Sequence, residues 1–187
     1  MPCVSRRPED ALLFTGVLFS SPELFDQACS VLRQAFGDIL LQSPVFQWEH
    51  SSYYADELGS PLFRSFIFYQ KMVDTAAFAA YKHEACSIES AFEVEGKRRI
   101  NIDPGYMTSA KVVLSSRKNY SHRICIGKGI YAELELYFQD GTFNPLPYTY
   151  TDYREARSRE IFQQARLLLK KMAPIGGEKD QQATAEQ

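Results

Sequence analysis

Residues 97–106, Lys-Arg-Arg-Ile-Asn-Ile-Asp-Pro-Gly-Tyr, alternate charged or amide side chains with isoleucine up to an Asp-Pro-Gly sequence. Side chains of an extended chain point alternately to opposite faces, so this run makes a strand with one apolar and one ionic face. Arg99, Asn101 and Asp103 fall on the ionic face, Ile100 and Ile102 on the apolar one. Asp103-Pro104-Gly105 reads as the turn that ends the strand. Such a strand belongs to a sheet, and its ionic face has to be explained.

The rest of the chain supplies partners for that strand. At 187 residues, 45% hydrophobic and 13% aromatic, it can build a packed core. Residues 11–20 are a short apolar run suited to a central strand. Ser21 as N-cap, Pro22 at the first helical position and Gly37 as the stop define a helix. Residues 39–49 make a second strand that Pro44 confines to an edge or a bulge. Residues 62–70 make a third, and Asp74 caps a second helix reaching about residue 91. With the strand at 98–103, this is the order of a ferredoxin-like βαββαβ unit, an α+β fold. Four more extended pieces (110–116, 122–126, 130–138 and 142–148) extend it as an antiparallel meander, with Asp140-Gly141 marking the last hairpin. Asp152 with Glu155 offers a capping-box variant for a C-terminal helix over 153–172. The expected organisation is a flexible N-terminus over 1–10, a single α+β domain over 11–173 and a disordered tail over 174–187.

Several function classes are disfavoured. A net charge of -2 gives no global attraction to nucleic acid or membrane. No run of about 18 apolar residues is present to span a bilayer, and the polar start is unlike a signal peptide. Cys3, Cys29, Cys86 and Cys125 are dispersed, as in a cytoplasmic protein with reduced thiols. His83-x-x-Cys86 offers two ligands where a zinc site needs four, so no metal site is expected. There is no nucleophile elbow and no phosphate-cradling loop, and Gly127-Lys128-Gly129 is too short for one. No cofactor or oligomeric state is indicated.

The run RRINIDPGYMTSAKVVLSSRKNYSHRICIGKGIYAELELYF, followed by TYTDYR, resembles the core of a bacterial and archaeal family known as domain of unknown function 4416. Tyr53-Tyr54, Glu57-Leu58-Gly59 and Leu62-Phe63-Arg64 fit the same family. The resemblance spans nearly the whole chain apart from both tails, and implies no established activity.

The candidate chemistry lies on the polar rows of the strands. If the rows of neighbouring strands coincide, Arg99, Lys111 and Arg123 meet Asp103, Glu133 and Glu135. Arg64, Arg99, Asn101, Lys111, Lys118 and Arg123 would then hold a small anionic ligand such as a nucleotide or phosphorylated metabolite. Asp103 and Glu133 would orient it or a magnesium ion, and His122 would carry a proton if chemistry occurs. The simpler reading has helices on one side of the sheet and these rows decorating a wet face with cross-strand ion pairs. Two further readings are a protein-interaction module using the tyrosine-rich surface, and an RNA-associated protein using the loop at 117–123.

Overall fold

A computed structural model describes residues 10–50 and 54–172. The expected flexible N-terminus (apart from Asp10) and disordered tail lie outside the described residues. Along the chain run β1 (Asp10–Phe19), α1 (Pro22–Phe36), β2 (Ile39–Gln42), β3 (Phe46–Gln47), α2 (Ala55–Leu58), β4 (Phe63–Asp74) and α3 (Phe78–Ala91). Then come β5 (Ile100–Met107), β6 (Lys111–Ser116), β7 (Ile124–Gly127), β8 (Ile130–Gln139), β9 (Thr142–Pro145), α4 (Thr151–Arg154) and α5 (Ala156–Met172).

Local signals explain most boundaries. Ser21 Oγ accepts from the Leu24 N–H at 3.3 Å, Pro22 opens α1, and Gly37 at φ 103° closes it. Pro44 splits the expected second strand into β2 and β3, and both pair with β4. Asp74 Oδ1 accepts from the Ala76 N–H at 2.9 Å, starting a single 3₁₀ turn that leads into α3. Asp140 and Gly141 both have positive φ, as the tight hairpin between β8 and β9 requires.

The βαββαβ core is present, with strand order β2-β4-β1-β5 and every pair antiparallel. The antiparallel extension runs β6-β8-β7, with β9 also pairing with β8, so β7 is a sheet edge. Two expectations are corrected. The strand begins at Ile100, not 98, and Asp103-Pro104-Gly105 lies inside β5 rather than ending it. A proline fits there because of which edge its nitrogen faces. Ile102 turns its N–H to Glu89 Oε1 (2.6 Å) and its carbonyl to Lys82 Nζ (3.0 Å), both on α3. Alternate residues face the same edge, so Pro104 also faces away from β1, where pairing with β6 starts only at Gly105. The second correction concerns the C-terminal helix. Glu155 is extended (ψ 146°) and divides it into α4 and α5, and Asp152 is buried inside α4 instead of capping a helix.

Both sheet faces are covered. Leu13, Val17, Phe19, Ile67, Ile100 and Ile102 pack under α1 and α3 with Phe25, Leu32 and Ile88. On the opposite face Phe14, Phe66, Phe68, Leu114 and Leu136 pack under α4 and α5 with Tyr153, Ile161 and Phe162. The expected wet face is therefore buried, because the α5 stripe of Ile161, Ala165 and Leu169 needs an apolar surface of its own.

Candidate functional site

The ionic rows lie at one end of the α4/α5 face, where β5 and β6 part. Register brings Arg64, Leu18 and Asn101 into line across β4, β1 and β5, and beside them Phe66, Gly16 and Asp103. Gly16 lets other side chains come close to the sheet. A Cβ there would stand 3.0 Å from the Tyr153 hydroxyl and 3.1 Å from Arg64 Nη1, so both tips lie over this one residue. Arg64 Nη2 pairs with Asp152 Oδ2 at 2.8 Å, and the Trp48 indole N–H donates to the same oxygen at 3.3 Å.

One wall is built from β5 and α3. Lys82 Nζ donates to Asp103 Oδ1 at 2.9 Å, and Asn101 Nδ2 donates to Asp103 Oδ2 at 2.6 Å. Burial pushes the Asp103 carboxyl up, but Lys82 and Arg64 outweigh it and its pKa is lowered. The Asp103 side chain is half-buried, with 24% of it accessible. At the rim, Arg98 grips both oxygens of Glu57 (2.5 and 2.7 Å) and donates to Asn101 Oδ1 at 3.1 Å.

The other wall comes from β8, the start of β7 and α4. Between Val112 and Val113 the register slips, so that Leu134 and Glu135 together oppose one residue of β6. This bulge re-aims the chain. Glu133, Glu135 and Leu136 all turn toward the α4/α5 face, whereas strict alternation would separate Glu135 from Leu136. His122 Nε2 lies 2.8 Å from Glu133 Oε2, and the ring stacks on Tyr148 at 4.3 Å. Arg123 Nη2 stands 3.0 Å from Glu133 Oε1, an ion-pair contact not aligned as a hydrogen bond, and donates to the Tyr150 hydroxyl at 2.6 Å. Glu135 Oε2 accepts from the Tyr150 N–H at 3.0 Å. Burial, reinforced by Glu133, raises the Glu135 pKa to about 9.

The nine residues singled out from the sequence divide unequally. Arg64, Asn101, Asp103, His122, Arg123 and Glu133 line this cleft. Lys118 is exposed at the mouth, where its charge acts on Glu57. Arg99 and Lys111 are exposed and take no part. Arg99 precedes β5, so alternation does not govern it, and its neighbour Arg98 turns inward instead. Sequence reasoning missed the roles of Gly16, Lys82, Glu89 and Arg98. A lysine on the buried stripe of a helix was the one available signal, since a buried ammonium requires a partner.

Several deep polar atoms have no partner among the described residues. In and around the site they are Arg64 Nε and Nη1, Arg123 Nε, the Oε1 atoms of Glu133 and Glu135, and the Tyr153 hydroxyl. Buried polar groups are normally satisfied, and each exception costs about 1–3 kcal/mol. Among the described residues, no three His, Cys, Asp or Glu side chains are grouped to hold a metal ion.

Fold and site together define an α+β protein whose splayed sheet encloses a polar cleft. The family model described as domain of unknown function (DUF4416) matches residues 9–168, and the chain belongs to that family. No curated protein and no solved structure matches it.

Proposed function

We propose that the protein binds a small acidic molecule in the cleft between β5 and β8, with Arg64 as its anchor. One observation carries this reading: a fully buried guanidinium keeps two donors unpaired beside an unpaired tyrosine hydroxyl over Gly16. Three unpaired guanidinium nitrogens and the tyrosine hydroxyl, against the Oε1 atoms of Glu133 and Glu135, favour a guest rich in acceptors, such as a carboxylate or phosphate. His122 is the proton carrier of the site if chemistry occurs. With Nε2 donating to Glu133, its Nδ1 is left to take or give a proton. The free thiols of Cys29, Cys86 and Cys125 suit a cytosolic protein.

Thermal melting with sulfate, acetate and phosphate esters tests the reading. An anion that binds the native state raises Tm by mass action. Arg64→Lys keeps a cation against Asp152 but removes the fork, so the rise is expected to vanish. An equal rise in both proteins would overturn the assignment.

A second reading, an interaction module, is favoured by β7. It is a sheet edge, Ile124 on it is 73% exposed, and Tyr120 in the preceding loop is exposed too. A partner strand could add there. Stoichiometric capture of one partner, lost in Ile124→Lys, would support it. The RNA reading loses ground because Arg123 of the loop is turned inward to Glu133 and Tyr150.

A further inference from the structure

The cleft contains two buried groups that the ligand reading does not yet use, the Glu135 carboxyl and the Tyr153 hydroxyl. Both are inaccessible, at 0% and 1% exposure, and both point an unpaired oxygen into the protein. The Glu135 carboxyl is fixed at one end only, through the Tyr150 N–H on Oε2. Its surroundings crowd it with like groups: Glu133 two residues away on the same bulged strand, and Asp152 from α4. Asp152 has Arg64 against it and Glu133 has Arg123, whereas Glu135 makes no ion pair of its own among the described residues. A buried carboxyl among like groups and without a cation of its own keeps its proton. With Oε2 accepting from the backbone, that proton sits on Oε1. Tyr153, packed between Phe66 and Phe162, likewise stays a phenol.

We infer that Glu135 and Tyr153 form a pair of neutral O–H donors that binds an oxyanion of the ligand, with Glu135 acting as an acid-form donor rather than as a base or a cation ligand. The inference rests on the cleft reading above and narrows it. The guest offers an oxyanion to two hydroxyl-type donors as well as to the arginine fork. Neutral donors in a dry site bind a localised negative oxygen strongly, and a carboxylic acid kept neutral beside a tyrosine is an established way of building such a site.

Two measurements separate this inference from the reading beneath it. Infrared spectra at neutral pH should show the carbonyl stretch of a protonated carboxylic acid in the parent protein and not in Glu135→Gln. Identical spectra would overturn the inference whatever the cleft binds. Sulfate and acetate stay ionised through the neutral and alkaline range, and Trp48, the single tryptophan, bonds to Asp152 and reports on the cleft. Titrations followed by its fluorescence are expected to show anion affinity falling about fivefold in the parent as pH rises from about 9 to about 10. Glu135→Gln, which has no acid proton to lose, should not show that alkaline fall. Tyr153→Phe should weaken binding about tenfold or more at every pH. An alkaline fall unchanged in Glu135→Gln, or full affinity in Tyr153→Phe, would overturn the donor pair. The tighter of the two probes assigns a carboxylate or a tetrahedral oxyanion as the guest. No response to either anion in the parent would overturn the cleft reading and the donor role with it, even with the infrared band present.

Discussion

Two tyrosines buried on opposite faces of the sheet show how differently the faces are used. Tyr69, on β4 under α1 and α3, shares a 2.8 Å hydrogen bond with the Thr15 hydroxyl and has Phe36 edge-on against its ring. Tyr153, on α4 over the opposite face, is as deeply buried and also packed in phenylalanines, but its hydroxyl has no partner. The first face is a finished core in which a polar group is paired off. The second is finished only where Phe14, Phe66, Phe68 and Phe162 meet, and toward the splay of β5 it becomes an ionic cleft with unpaired donors. A protein keeps such unpaired groups at a stability cost, and the places where it does so are where function is sought.

The contrast can be broken by substitution, beginning with the largest effect. Arg64→Ala leaves Asp152 buried without its cation and is expected to cost about 3–5 kcal/mol in urea unfolding. Gly105→Ala tests the finished end of the same face. A Cβ there would lie 2.1 Å from the Phe14 ring, which is held by Phe68 and Phe162, and overpacking of this kind costs about 3 kcal/mol. Tyr69→Phe strands the Thr15 hydroxyl and should cost about 1–2 kcal/mol.

Protons sharpen the same contrast. The Glu135 pKa is raised from 4.5 to about 9, so the folded protein holds a proton that the unfolded chain releases. The stability this contributes is complete below about pH 4.5 and declines as pH rises toward 9, after which the slope ends. Glu135→Gln should flatten that decline in melting temperature measured against pH. Asp103 works in the opposite direction: its lowered pKa contributes stability above the ordinary carboxylate range that is lost on acidification.

How much of this was legible in the sequence depended on range. Short-range signals were readable: the Ser21-Pro22 start, the Gly37 stop, the Asp74 cap, the Asp140-Gly141 hairpin and the βαββαβ order. Alternation also placed Asn101 and Asp103 on the ionic side of β5. It failed at Arg99, where the strand had not begun, and at Leu136, which a bulge turns to the same face as Glu135. Neither a strand start nor a bulge has a periodicity of its own. Asp103-Pro104-Gly105 misled for a related reason. Proline is tolerated within a strand where its nitrogen faces no ladder, and that depended on β6 splaying away and on Lys82 and Glu89 of α3 serving the edge. The covering of the ionic face by α5 was the decisive long-range fact. Nothing local in 156–172 says which face that helix will choose.

The one substitution not expected to destabilise carries the most direct test. Tyr153→Phe removes a buried hydroxyl without a hydrogen-bond partner, so it should be at least as stable as the parent, by up to about 1–3 kcal/mol. Sulfate titration of Tyr153→Phe and Tyr69→Phe side by side, read by melting temperature, then tests the cleft itself. The account predicts that Tyr69→Phe loses stability and keeps the sulfate response, while Tyr153→Phe keeps stability and loses the response. A Tyr153→Phe protein that melts low and still answers to sulfate would contradict it.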